Sequence, residues 1–388
     1  MTVSAVLAPD RPSAARWATS ALFLANGFGI GVWATQIPRL KTDLALSDGE
    51  LSLALLSFAL GAIILMPLTG WATAHLGSRR TSILTSLAFA AFLVLPGLAA
   101  SLPWLVAGAL VAGGASGAMD VAMNTHATAT ERAWGAAIMS SFHGFFSLGG
   151  LLGAGAGAAL IGGGASVAGA LLAGGAGAGI LTLAVLRSLR LAFEAAEGGH
   201  GFAWPRRAVL GIGILTFLAM VMEGAVADWS GVYLRDGIGA SLTFAPAGFA
   251  AFSLAMTLCR FAGDGVVRRL GRTRTLVLGG LVAALGFALV VGTASALVTA
   301  LGFGLVGLGL ANAVPVFFSA GSEAGGVAPS VGVAMVATLG YAGFLLGPPA
   351  IGFYADWMGL RAALALLVLS ALSIALFAKA AGPGKDRR

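Results

Sequence analysis

A few ionisable residues stand inside apolar sequence in this chain, and the chemistry they offer is the uptake and release of protons. Asp120 and Glu223 are carboxylates, His143 is an imidazole, and each sits among small or apolar neighbours. Around two of them runs ASGAMDVAMNTHATATERAWGAAIMSSFHGFFSLGG, from 115 to 150. Gly113, Gly117, Asp120, Asn124 and Glu131 recur at steps of three, four and seven residues, which puts them on one helical face. Ser140, His143, Ser147 and Gly150 follow the same spacing on the next helix. The two polar stripes are expected to face each other or a shared water-filled space, as a solute pathway would need.

Depth makes Asp120 the sharpest candidate. It lies eleven residues before Glu131, about 16 Å along a helix and near the centre of a hydrocarbon layer about 30 Å thick. An ionised carboxylate there costs at least about 2.5 kcal/mol, so the group either handles a proton or is held by a neighbouring helix. Glu223, on a stripe with Thr216, Met220 and Ala227, is the expected second proton site. His143 binds solute, shares a proton with Asp120, or hydrogen-bonds a serine between helices; imidazole titrates near neutral pH. His126, two residues from Asn124, faces elsewhere and reads as structural.

Asn26, Trp33, Asn124, Asn312 and Tyr341 are the candidate solute contacts. Amides and aromatic rings suit a polyhydroxylated ligand and suit helix packing equally. Phe23, Asn26, Ile30 and Trp33 share one face. Trp229, beside Asp228, reads as an interfacial ring or a gate. Arg260 and Asp264, one turn apart, read as an ion pair at an inner gate or as topology signals.

The elements that must position these residues are membrane helices. Of 388 residues, 58% are hydrophobic and 10% charged, where a soluble domain carries about 25% charged residues; mean hydropathy is +0.95. The 59 glycines let helices approach closely in lipid. Twelve spans are predicted, at 17–36, 48–69, 82–99, 103–130, 136–161, 167–186, 208–230, 243–263, 275–294, 296–319, 330–354 and 360–380. Ser47 and Glu50 form a capping box opening the second. Pro348 and Pro349 are expected to break the eleventh. The polar stretch 187–207 reads as a linker between a bundle at 1–186 and another at 208–388.

Most of the 22 Lys and Arg residues fall in the tails, the linker and the even-numbered loops. That asymmetry places both termini in the cytoplasm. The net charge of +7 is read as a topology signal, not as a nucleic-acid surface. No cleavable signal peptide is apparent, and the first span is expected to act as its own insertion signal. The single cysteine, Cys259, excludes an intrachain disulfide.

An internal repeat underlies the two halves. Gly70-WATAHL-Gly77-SRR follows span 2 and Asp264-GVVRRL-Gly271-RTR follows span 8. With twelve spans and a central linker, these glycine- and arginine-rich loops resemble those of the major facilitator superfamily. Gly70, Gly77 and Arg79 match the family's loop signature, with Arg80 beside them, but Ala74 stands at its aspartate and His75 at its arginine. Gly271 and Arg272 match in the second copy. A closer match follows span 11, in Gly352-FYA-Asp356-WM-Gly359-L-Arg361. Asp120 and Asn124, Glu131, SFHGFFSLGG and EGAVADWS further resemble the fucose:proton symporter-like branch.

The resemblance implies an all-α integral membrane protein with two pseudo-symmetric six-helix bundles, in a bacterial inner membrane and working as a monomer. It implies proton-coupled symport of a small polar solute such as a sugar, by alternating access. The loop residues Gly70, Gly77, Arg79, Arg80, Arg260, Asp264, Gly271 and Arg272 would then serve gating. A proton-driven exporter is the alternative, although span 5 lacks the proline of the antiporter signature. A membrane enzyme or sensor is disfavoured: the sequence shows no nucleophile–base spacing, no phosphate loop, no cofactor motif, and no metal cluster from four scattered histidines and one cysteine.

Overall fold

Apolar sequence in a bilayer must satisfy its backbone internally, and the described residues do so as helices. The computed structural model describes residues 12–135, 138–189, 207–324 and 329–381. Its helices are α1 (Pro12–Asp43), α2 (Asp48–Leu76), α3 (Ser78–Phe92), α4 (Leu102–Trp134), α5 (Met139–Gly162), α6 (Val167–Val185), α7 (Arg207–Val232), α8 (Ala247–Leu270), α9 (Arg272–Gly292), α10 (Ala296–Leu310), α11 (Ala313–Ser322), α12 (Pro329–Met358) and α13 (Leu360–Leu376). Among the described residues, α10 and α11 form one span with a break at Ala311 and Asn312, so the thirteen helices make twelve helical rods, of which nine are long and apolar enough to cross a membrane and two more, in α8 and α13, are shorter apolar helices. Of the linker, 190–206 lies outside the described residues.

Several helices run further than the sequence suggests. Helix α2 continues to Leu76, so Gly70 lies within it and not in a turn. Helix α8 continues to Leu270 and takes the backbone of Asp264 with it. Helix α12 passes unbroken through Pro348 and Pro349, against expectation. The proline site is supported from α7, where the bare face of Gly224 accommodates the Pro348 ring and Trp229 Nε1 donates to the Pro348 carbonyl at 2.9 Å. Such neighbours are what make proline tolerable in membrane helices. The capping box at α2 forms as read, with Ser47 Oγ accepting from Glu50 N at 3.1 Å and Glu50 returning the bond at 2.9 Å.

Small residues set the packing. Helix α1 crosses α5 so closely that a Cβ on Gly27 would overlap the Phe146 carbonyl. Gly113 and Gly117 do the same for α4, against Phe58 and Ala62 of α2. Leucine and isoleucine side chains cover the outer surface. Exposed tryptophans mark both ends, Trp17 and Trp71 at the end carrying the termini and Trp104 and Trp357 at the other, where an aromatic belt belongs.

Candidate functional site

Two polar centres lie deep in the bundle, and each joins a helix of the first six spans to one of the last six. In the first, Asp120 Oδ1 accepts from Asn124 Nδ2 at 3.1 Å, one turn along α4. Its Oδ2 accepts from the Tyr341 hydroxyl of α12 at 3.4 Å. Asn124 also donates to the Asp120 carbonyl at 2.9 Å, which fixes the amide. Spacing in the sequence groups Asp120 and Asn124 on one face; Tyr341 arrives from the far side of the chain.

In the second centre, Arg260 of α8 lies between Glu223 of α7 and Ser147 of α5. Its Nη2 stands 3.4 Å from Glu223 Oε2, and its Nη1 donates to Ser147 Oγ at 2.9 Å. The side chains of Arg260 and Glu223 are only 10% and 14% exposed, so each charge depends on the other. Spacing along α8 pairs Arg260 with Asp264, whereas the partner found for it here is on a neighbouring span: a guanidinium at this depth needs a countercharge within the membrane, and Glu223 supplies one. The side chain of Asp264 lies outside the described residues.

The polar stripe on α5 faces α8, not the stripe on α4. Ser140 Oγ donates to the Arg260 carbonyl at 3.3 Å, and the Phe261 ring fits against the bare face of Gly144 and edge-on to Phe145. His143 stands edge-on to Phe23, with ring centroids 5.3 Å apart, while Asp120 has Asn124 and Tyr341 as its hydrogen-bond partners among the described residues. Glu131 also leaves the expected stripe. It accepts from the backbone N–H groups of Ile138 and Met139 at 2.7 and 2.6 Å and so caps the start of α5. His126 pairs with Ser78 Oγ at 3.0 Å.

The solute-contact candidates divide. Asn124 and Tyr341 meet at Asp120. Asn26 is buried, and its Nδ2 finds no partner among the described residues. Trp33 is buried and stacks on Phe58 at 5.4 Å. Asn312 sits at the break between α10 and α11, its side chain against the bare face of Gly263. Trp229 is fully buried beneath α12, which excludes an interfacial position.

The repeated loops match closely. Gly77 has φ +83° and ψ 151°, Gly271 has φ +78° and ψ 159°, and the threonine four residues on, Thr81 or Thr275, returns its hydroxyl to the glycine carbonyl in both. Arg79 donates to the Leu186 carbonyl at 3.1 Å beyond the end of α6. Arg272 grips Glu323 at 2.7 and 2.8 Å and Ser319 at 2.6 Å. Arg80 is exposed.

Sequence reasoning missed the contacts at the end of the bundle away from the termini. Lys41 stands 2.6 Å from Asp48 and 2.6 Å from Asp236, bridging the ends of α1 and α7. Burial alone would lower the Lys41 pKa, but the two carboxylates outweigh it and hold the ammonium above its ordinary value. Asp356 of α12 accepts from the backbone N–H of Gly49, in the first turn of α2, at 3.2 Å. The signal was present: Asp356 occupies the aspartate position of the loop signature after span 11.

Comparison with known proteins agrees with this architecture. The sequence model described as Major Facilitator Superfamily matches residues 19–336. An uncharacterized MFS-type transporter of Yersinia pestis is 38% identical over 362 residues, covering 93% of this chain and 94% of the relative. Membrane protein MosC of Rhizobium meliloti is 36% identical over 358 residues, covering 91% of this chain and 86% of that protein. The crystal structure of nucleoside transporter NupG superposes with a TM-score of 0.70 at 14% identity, over 94% of this chain and 98% of that one. These likenesses do not support the fucose:proton symporter-like branch; the resemblance stands at the level of the superfamily.

Proposed function

The chain belongs to the major facilitator superfamily, and from that premise we propose that it is a proton-coupled symporter of a small polar solute, with Asp120 and Glu223 as the proton sites. That it is a multi-pass membrane transporter, and not an enzyme, follows from the family. The observation that carries the finer reading is the placement of the two carboxylates. Each sits deep in its span, and each is linked to the opposite half, Asp120 directly through Tyr341 and Glu223 through Arg260 and Ser147. A proton arriving at either carboxylate alters the bonding that joins the halves. Protonation is thereby coupled to their relative movement, as alternating access requires.

In this reading the bodies that rock are 1–186 and 208–388, joined by 187–207, in a monomer with both termini in the cytoplasm. Asn26 offers the solute an unused amide donor, Asn124 and Tyr341 offer oxygen lone pairs beside Asp120, and the family's membrane-embedded two-half design needs no cofactor. The test is solute-induced proton uptake in proteoliposomes over a panel of sugars and metabolites, with Asp120→Asn and Glu223→Gln beside the wild type. A wild-type signal for one solute, lost in the variants, supports the assignment. Solute movement whose pH dependence neither variant changes refutes it, and silence across the panel favours export.

A further inference from the structure

We propose that the transported solute carries a single carboxylate, and that this group replaces Glu223 on Arg260 when Glu223 takes up a proton. The proposal rests on the proton-coupled reading above and names its substrate class. It starts from an ion pair that is incompletely made. The Arg260–Glu223 contact is one-point and 3.4 Å long, whereas a charge-assisted hydrogen bond runs about 2.7–2.9 Å and arginine prefers a two-point fork on a carboxylate. Among the described residues, Arg260 Nε and Glu223 Oε1 are buried without a hydrogen-bond partner. Both partners therefore hold unused hydrogen-bonding capacity, buried where α5, α7 and α8 meet.

Charge accounting decides what fits there. Arginine stays protonated at any physiological pH. The titratable groups around Arg260 are Glu223, paired with it from α7, His143, one turn before Ser147 on α5, and Asp264, one turn on along α8, whose side chain lies outside the described residues. When a proton from the open side adds to the Glu223 carboxylate, Arg260 is left with Ser147 as its remaining side-chain partner among the described residues. An uncompensated buried cation is not tolerated. A neutral solute cannot replace the lost charge, and a dianion would leave one of its own unpaired. A monocarboxylate restores neutrality, matches the guanidinium fork, and finds a second donor in the Ser147 hydroxyl. The proton on Glu223 and the monoanion on Arg260 then cross with their charges cancelled, and a proton on Asp120 adds to this balance. On release the anion leaves Arg260, the proton leaves Glu223, and the ion pair reforms. A sugar acid or a small hydroxy acid has this chemistry.

The test uses the full chain, purified for binding and reconstituted for transport. The probes are gluconate, glucuronate and lactate against glucose, methyl glucoside and lactamide. The monoanions are expected to bind more tightly as pH falls, and their uptake to follow a pH gradient. Arg260→Gln should lose affinity by about tenfold or more, the scale of one charge-assisted hydrogen bond, with Arg260→Lys in between. Glu223→Gln should bind the anion with no pH dependence. The double variant Glu223→Gln/Arg260→Gln leaves no unpaired charge, so it controls for folding, and it should fold without binding the anion. Absence of monoanion binding to the wild type overturns the proposal, as does pH dependence that survives in Glu223→Gln but is lost in His143→Gln. Proton-coupled uptake of a neutral probe, unchanged in Arg260→Gln, overturns it while leaving the symport reading intact. Arg260-dependent anion binding without proton movement keeps the anion site and removes the symport reading.

Discussion

Asp356, near the end of α12, accepts the backbone N–H of Gly49 in the first turn of α2 at 3.2 Å, and so joins the two halves at the end of the bundle away from the termini. A helix N-terminus presents unsatisfied N–H groups and partial positive charge, and a carboxylate answers both. Ser47 and Glu50 satisfy one another at the same turn, which leaves Gly49 N–H for the other half. Gly49 has no side chain to obstruct the approach: a Cβ there would come within 2.8 Å of Asp356 Oδ2. Beside it, the bare face of Gly352 lets Ser52 and Trp229 close against α12.

Removing this contact should open that end. Loss of a hydrogen bond to a charged group is worth about 1.5–3 kcal/mol, a tenfold or larger shift in population. Ser52 is fully buried under α12. In a Cys259→Ser background, Ser52→Cys should react with a membrane-impermeant maleimide at least about tenfold faster when Asp356→Ala is added. Lys41→Gln should give a smaller increase, under about 1 kcal/mol, because its partner Asp236 is 40% exposed. Equal labelling rates in all three proteins would show that the contacts do not hold this end shut.

The repeated turns predict a matched pair of stability effects. Gly77 and Gly271 adopt the same left-handed φ, so Gly77→Ala and Gly271→Ala should each cost about 1–3 kcal/mol, and by similar amounts. Gly70, inside α2 with open space where a methyl group would stand, should behave oppositely; Gly70→Ala gains about 0.5–1 kcal/mol of helix propensity. Thermal unfolding in detergent measures all three. A destabilised Gly70→Ala would return that glycine to a role in the loop.

How much of this is legible in the sequence depends on the range of each interaction. The capping box at Ser47 and Glu50 lies within one turn, and the sequence shows it. Hydropathy locates the spans, because the bilayer admits few alternatives to helix. Asp120 and Asn124 are one turn apart on one helix, and their spacing groups them. Tyr341 lies 221 residues from Asp120, and no periodicity within one helix reveals such a partner. The Glu223 partner of Arg260 is hidden for the same reason: spacing offers only Asp264 four residues away, and a countercharge on a neighbouring span has no periodicity to reveal it. Glu131 misleads because a capping carboxylate and a pathway carboxylate look alike until the next helix is in place.

Trp229 should prove structural. It is fully buried, and its Nε1 bonds the Pro348 carbonyl at 2.9 Å. Trp229→Phe keeps most of the packing and should lower stability by about 1 kcal/mol, while Trp229→Ala should cost about 3–5 kcal/mol. Thermal unfolding reads both. A fully stable Trp229→Ala protein with altered solute selectivity would make this ring part of the solute path.

The most direct test of the account separates exchange from accumulation. In proteoliposomes loaded with unlabelled solute, entry of labelled solute by exchange needs no net proton movement, whereas uphill uptake against a gradient needs it. Glu223→Gln and Asp120→Asn are predicted to retain exchange and to lose proton-driven accumulation, because each keeps the shape of the side chain and removes its titration. Variants that accumulate solute as the wild type does, with the same response to pH, would contradict the central claim that these two carboxylates couple protons to transport.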